Sequence, residues 1–464
     1  MSASAITLAL VATSLVVGGA ACGGSTQQVK ETAKDAGGGP TTQPVESGAP
    51  VHDAGAPQQQ QDAAPAPVDA APDVDNGAPS TTYPAFPIDV AQISDNGGPV
   101  LKQPVVVTVT WSTDTDAPTY NALGDAIGPS PYWKDINSEY GVGPSTSGNP
   151  NHISITTAPP TSFADTDLDT MVETNVDNGT WPASTDNIVY ALYLPPGSTL
   201  TSGGQNLCAE GVGGYHTESN NKNYVYAIMP HCSGFQTADI ELGASHELNE
   251  ASTDPHPGTN PAWVGFDNNH LSFEFFNQFQ DELGDACEAF VEATDSTDFT
   301  PYTVQRQWSN ASAAKGSHWC LPALDEPFYN TTILPQSTVD QISVDLSTLF
   351  PGAPKVTSEG FKIPLNTSRT IPIGLFSDVD TKGPFTLDIQ GLTDPITQDE
   401  NGNNINNGTM TATLDLTSGV NGQIANLTVT PTSYSTLGVN FIYVRAVLPG
   451  AQQHHYLPLL FSAN

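Results

Sequence analysis

The sequence predicts an α+β domain followed by a β-sandwich, and two observations carry this, with a third bearing on partners. Strand-like β-branched runs alternate with helical patterns up to about residue 330. Beyond Pro335 the helical period stops, and short alternating strands separated by Gly, Asn and Pro turns replace it. The charge balance is lopsided: 12 Lys+Arg against 49 Asp+Glu in 464 residues, a net −37. Twelve scattered cations cannot neutralise a phosphate backbone, so the charge argues against a nucleic-acid partner.

Residues 1–21 read as a targeting segment. Ala5 to Val17 is an apolar run too short to span a bilayer, and Gly18, Gly19, Ala20 and Ala21 lead to Cys22. The arrangement resembles a bacterial lipoprotein signal, which implies cleavage before Cys22 and a lipid on its thiol. An ordinary secretory signal is the alternative; both send the mature chain out of the cytoplasm, as a membrane-anchored envelope protein or an extracellular one. Residues 22–82 are Gly, Pro, Ala, Gln and Asp with almost nothing to bury. They read as a disordered tether with a reach on the order of 40 Å.

The 83–330 domain is then built in order. Val105 to Trp111 (VVVTVTW) is a buried strand, and Ser130 to Glu139 a helix with Ser130 as cap and Pro131 at its first position. His152 to Thr156 and Asn187 to Leu194 are strands with a helix, Thr166 to Val176, between them. Asn223 to Met229 is a further strand. Thr237 to Thr253 repeats apolar residues at helical spacing (Ile240, Ala244, Leu248, Ala251) until Pro255 stops it. In the 335–464 sandwich, of immunoglobulin-like type, strands are expected at Thr370 to Leu375, Phe385 to Ile389, Met410 to Leu416, Ala425 to Thr430 and Asn440 to Val447.

Four cysteines remain after Cys22: Cys208, Cys232, Cys287 and Cys320. In an exported chain these make two disulfides; of three possible pairings, Cys208 with Cys232 and Cys287 with Cys320 closes the shortest loops.

The chemistry concentrates on the 237–253 helix. His246 and Glu250 lie four apart and so share one face, the placement by which a His-Glu-x-x-His helix chelates zinc, with a carboxylate here in place of the second imidazole. Glu247 falls where such sites put the general base. Glu282 is the expected third ligand, with His256, ten residues after His246, as the alternative. Asp285 and Asp254 would stand behind the ligands, Asp285 orienting His246. His216, after Gly213-Gly214-Tyr215 and between two cysteines, is a further candidate as metal ligand or oxyanion donor. No Gly-x-Ser-x-Gly elbow and no phosphate-cradling loop is present.

SHELNEASTDP (Ser245 to Pro255), ELGDAC (Glu282 to Cys287) and VQRQWSNA (Val304 to Ala311) together resemble exported bacterial zincin-like proteins with a His-Glu-x-x-Glu-Ala-x-Thr-Asp-Pro motif. They are also distantly similar to the phosphate-induced protein 1, or Exordium-like, family, with EYGVG (Glu139 to Gly143) and YLPPG (Tyr193 to Gly197) as further matches. Over roughly residues 105 to 322 the resemblance implies a zincin-like fold and an acidic histidine site. The expected protein is a zinc-dependent, peptidase-like hydrolase acting on a peptide or envelope polymer; the alternative is a non-catalytic wall-binding protein on the same scaffold.

Overall fold

The computed structural model describes residues 76–280, 282–290, 296–353, 355–398 and 403–463. The proposed signal, Cys22 and the tether up to residue 75 lie outside the described residues. Residues 76–82, assigned above to the tether, are bonded to the β-rich part: Asn76 Nδ2 donates to the Ile424 carbonyl and Asn421 Nδ2 to the Ser80 carbonyl. Backbone groups find partners there even without large side chains, which is why composition alone sets the boundary too late.

The α/β part runs β1 (Val105–Trp111), α1 (Ala117–Ile127), α2 (Pro131–Asn137), β2 (His152–Ile155), α3 (Asp165–Asp177), β3 (Ile188–Tyr193), β4 (Tyr215–Glu218), β5 (Val225–Met229) and α4 (Thr237–Thr253). Its sheet has the order β2-β1-β3-β5-β4. All neighbours are parallel except β4, the edge strand, which runs antiparallel to β5. Both faces are covered. Val106, Val189, Ala191 and Ala227 meet α1, α2 and α4 through Leu123, Trp133 and Leu248. Val107, Val109, Leu192 and Ile228 on the other face meet Leu168 and Val172 of α3. Burial on both sides explains why β1 reads as an almost continuous apolar run.

Ser130 caps α2 as expected, its hydroxyl accepting from Trp133 N at 3.0 Å. Helix α4 opens on a capping box: the Gln236 amide donates to Asp239 Oδ2 at 2.6 Å while the Gln236 side chain accepts from the Asp239 amide. Its apolar stripe, Ile240, Ala244, Leu248 and Ala251, packs under the sheet. Burying a leucine such as Leu248 contributes about 1.5–3 kcal/mol.

Helix α5 (Leu271–Phe276) packs toward the β-rich part, while two short elements, α6 (Asp285–Phe290) and β6 (Tyr302–Gln305), close over α4. Strand β6 lies along the helix, with the Thr303 amide donating to Glu241 Oε2 and the Gln305 amide to Ser245 Oγ at 2.9 Å. The polar face of α4 is therefore covered too, and every residue from Ala244 to Thr253 is buried.

The two large sheets that follow use β7 (Tyr329–Ile333), β8 (Asp340–Asp345), β9 (Lys355–Lys362), β10 (Arg369–Ser377), β11 (Phe385–Gln390), β12 (Met410–Leu414), β13 (Ser418–Gly419), β14 (Ile424–Pro431), β15 (Val439–Val447) and β16 (His455–Ser462). They form a four-stranded sheet, β7-β10-β14-β12, and a six-stranded one, β8-β9-β16-β15-β11-β13. Ile373, Leu427 and Val429 from the first sheet and Leu387, Val444 and Leu459 from the second share one core. Alternate residues of β14 are buried, the expected period of two. The first strand, β7, starts before Pro335. Leu271 and Phe275 of α5 pack with Val344, Phe441 and Leu460, so the described residues of both parts belong to one compact unit. Among the described residues no helix is long and apolar enough to cross a membrane.

Candidate metal centre

His246, Glu247 and Glu250 enter from α4, His216 from edge strand β4, and Glu282 from the turn before α6. Two disulfides hold these segments. Cys208–Cys232 (Cα separation 5.4 Å) brackets His216, and Cys287–Cys320 (5.7 Å) anchors α6. The pairing is the sequential one, and two bonded pairs point to an oxidising, non-cytoplasmic compartment.

Both imidazoles are oriented by a carbonyl oxygen behind them. Gln305 Nε2 donates to the Gly284 carbonyl at 3.0 Å, which turns Gln305 Oε1 toward His246 Nδ1, also at 3.0 Å. In the neutral ring Nδ1 therefore carries the proton, and the Nε2 lone pair faces Glu250 Oε2 at 3.0 Å and Asp285 Oδ1 at 3.5 Å. His216 Nε2 sits 3.0 Å from the Asp254 carbonyl, which can only accept. Its Nδ1 lone pair is thereby aimed at Glu247 Oε2 (3.6 Å) and Glu250 Oε2 (3.8 Å). Glu282 Oε1 is 3.5 Å from His216 Nε2.

Backbone amides fix one oxygen of Glu250. Its Oε1 accepts from the Gly284 and Asp285 amides at 2.9 and 3.2 Å, leaving Oε2 for the imidazoles. Two glycines permit this closeness. A Cβ on Gly284 would lie 2.6 Å from His246 Nδ1, and one on Gly214 would lie 2.6 Å from Glu247 Oε1. Neither oxygen of Glu247, which is 1 % exposed, receives a hydrogen bond, and neither does Glu282 Oε1.

The electrostatics follow from crowding. Burial works against a charge on His216, but Glu247 and Glu250 outweigh it and push its pKa up to about 9. His246 is likewise raised well above an ordinary histidine: burial opposes the charge, and Glu250 and Glu247 overcome it. Glu250 is lowered, its burial overcome by His246. Burial raises Glu282 far above the carboxylate range, with Glu250, Asp254 and Asp285 adding to it, and raises Asp254 to about 6. Carboxylates gathered around two inward lone pairs, with buried oxygens lacking hydrogen bonds, fit a divalent cation. Two sets of ligand atoms lie within 4.8 Å of one another: His246, Glu247 and Glu250, and His216, Glu250 and Glu282. These groups could hold a metal ion.

The sequence-predicted residues divide as follows. His246, Glu250 and Glu247 converge as expected, and His216 joins them. Glu282 comes to the centre, grouped with His216 and Glu250. His256 does not: its Nδ1 faces Glu218 Oε2 at 3.9 Å, outside both sets. The chain turns away at Asp254, whose φ of −142° and ψ of 70° break the helical path. Asp254 supports His216 through its carbonyl, and its carboxylate accepts from the Ala262 amide at 2.7 Å. Asp285 lies on the Nε2 side of His246, so the orienting role expected of it belongs to Gln305. Sequence reasoning assigned no role to Gln305 or to Glu288, whose Oε1 is 3.7 Å from His246 Nδ1; the VQRQW string marks Gln305 only as part of a resemblance.

His270 groups with Asp89 and Glu359. Its Nδ1 lies 2.9 Å from Asp267 Oδ1 and its Nε2 3.2 Å from Asp89 Oδ1, and with Asp89 exposed this group stands at the surface, apart from the α4 centre. No protein-family model matches this chain, and a search of curated proteins finds no match.

Proposed function

We propose that the protein is an exported, zinc-dependent hydrolase of the peptidase-like kind, carried on a lipoprotein-type signal and anchored through Cys22 or released. The observation that supports this most is the Glu247 carboxylate, buried, without a hydrogen bond, and 3.6 Å from an imidazole nitrogen. A bound divalent cation would polarise a scissile carbonyl and make water more acidic. His246, Glu250, Glu282 and His216 would hold it, with Gln305 and the Asp254 carbonyl keeping both imidazoles in the ligating tautomer. Glu247 takes a proton from the attacking water and returns it to the leaving amine. The resemblance to zincin-like proteins assigns Glu247 the same task.

Burial favours a second reading. His246, Glu247 and Glu250 are at most 2 % exposed, and the side chains of Glu282 and Glu288, at 12 and 36 %, lead outward from them. A centre so closed suits a non-catalytic envelope-binding protein whose cation is structural. Glu247→Gln separates the two readings. The hydrolase loses about 10²–10⁴-fold in peptide or casein cleavage while retaining its zinc. Zinc-loaded wild type that cleaves neither casein nor a mixed peptide library leaves only the structural reading.

A further inference from the structure

We infer that the centre holds two divalent cations bridged by Glu250, a refinement that rests on the metal-centre reading above. The two sets of ligand atoms share Glu250, and neither contains both imidazoles. Each imidazole has its outer nitrogen committed to a carbonyl oxygen, so each brings its own lone pair inward. Glu250 Oε2 stands between them, 3.0 Å from His246 Nε2 and 3.8 Å from His216 Nδ1. Edges near 3.3 Å are what ligands about 2.0–2.1 Å from a tetrahedral ion make with one another. Glu250 Oε2 and Asp285 Oδ1, 3.0 and 3.5 Å from His246 Nε2, and Glu247 Oε2 and Glu250 Oε2, 3.6 and 3.8 Å from His216 Nδ1, are edges of that kind, one set about each inward nitrogen.

Charge points the same way. Glu247, Glu250, Glu282, Asp285 and Glu288 surround two imidazoles that are neutral when ligating. One divalent cation would leave three of these five carboxylates uncompensated; two would leave one. The first cation belongs with His246 and Glu250, the second with His216, Glu250 and Glu282, while Glu247 stands beside them as the proton acceptor. Imidazole and carboxylate donors without thiolate suit zinc or manganese. Two-cation hydrolytic centres set their ions about 3.5–4 Å apart to clamp both sides of a reacting group.

The test is stoichiometry on the purified full chain, stripped by chelator and refilled with zinc alone or manganese alone. Wild type is expected to retain two zinc equivalents, and His216→Ala and Glu282→Gln one each. Two bound manganese ions are expected to give an exchange-coupled spin signal, replaced by that of an isolated ion in His216→Ala. A single equivalent in wild type overturns the pair and leaves the hydrolase reading standing; none overturns both. Two equivalents without magnetic coupling put the second ion elsewhere and also overturn the bridge. Should a variant fail to fold by circular dichroism, the manganese signal of wild type decides.

Discussion

His246 in the α/β part and His455 in the sandwich are equally hidden, each 2 % exposed, yet they end on opposite sides of an ordinary histidine. Burial alone disfavours the charged ring in both. Around His246, Glu250 and Glu247 overcome that penalty and raise its pKa. Around His455 the neighbours are Phe328, with ring centroids 4.4 Å apart, and Tyr329, at 4.8 Å, and neither ring nitrogen receives a hydrogen bond. Burial, with His318 and His454 nearby, therefore drives its pKa well below the usual value. One buried imidazole is embedded in charge and the other in hydrocarbon, so burial by itself says nothing about whether a histidine is chemically employed.

Four measurements would break or sharpen this contrast. The largest effect is expected from metal. Zinc at about a thousandfold over its dissociation constant adds about 4 kcal/mol of stability by urea unfolding. Glu250→Gln should abolish that gain; an equal gain in the variant would mean that the charged environment of His246 is not built for a cation. Opening the Cys208–Cys232 bond by a double serine substitution is expected to cost about 2–4 kcal/mol. It should also weaken zinc binding, because His216 lies within the loop, whereas the sandwich after Pro335 contains no cysteine to lose.

Gln305→Ala leaves every proposed ligand in place but frees the His246 ring, and a 10–100-fold weaker zinc affinity by calorimetry is expected. Unchanged affinity would show that packing alone orients the imidazole. The smallest effect lies in the sandwich. His455 stays neutral in the folded chain, while in the unfolded chain it takes up a proton near pH 6.5. The unfolded state therefore binds more protons below that pH, and the stability His455 contributes above about pH 6.5 is lost as pH falls, by at most about 1.4 kcal/mol per unit. His455→Leu should flatten that slope in denaturation midpoints measured from pH 7 to 5. An identical slope would assign the acid sensitivity to carboxylates instead.

How much of this was legible in the sequence depended on how local each signal is. Strand β1 and helix α4 follow from short-range pattern, and the His246–Glu250 pair from helical spacing within α4. Helix α1 left no such trace. Pro118 sits at its start and Gly124 in its middle, and the glycine is tolerated because the helix presses so closely on β1 that a Cβ would lie 2.9 Å from Thr108 Oγ1. The role of Gln305 was equally hidden, since it arises only when β6 docks on α4 and brings together residues 59 apart. His256 misled for the opposite reason: its spacing from His246 is regular, but the chain has left the helical path before reaching it. Glu282 was singled out because it and Asp285 have the order and spacing of a downstream glutamate ligand followed one turn later by an aspartate, and it falls in one ligand set with His216 and Glu250.

The disulfides also have a bearing on maturation. In a reduced chain nothing covalent would draw the His216 segment or α6 toward helix α4, and the ligands would approach one another against the mutual repulsion of their carboxylates. Closing Cys208–Cys232 and Cys287–Cys320 gathers them beforehand. Oxidation then becomes the step that gathers the candidate ligands, and an ion binding among them would be one supplied outside the compartment of synthesis.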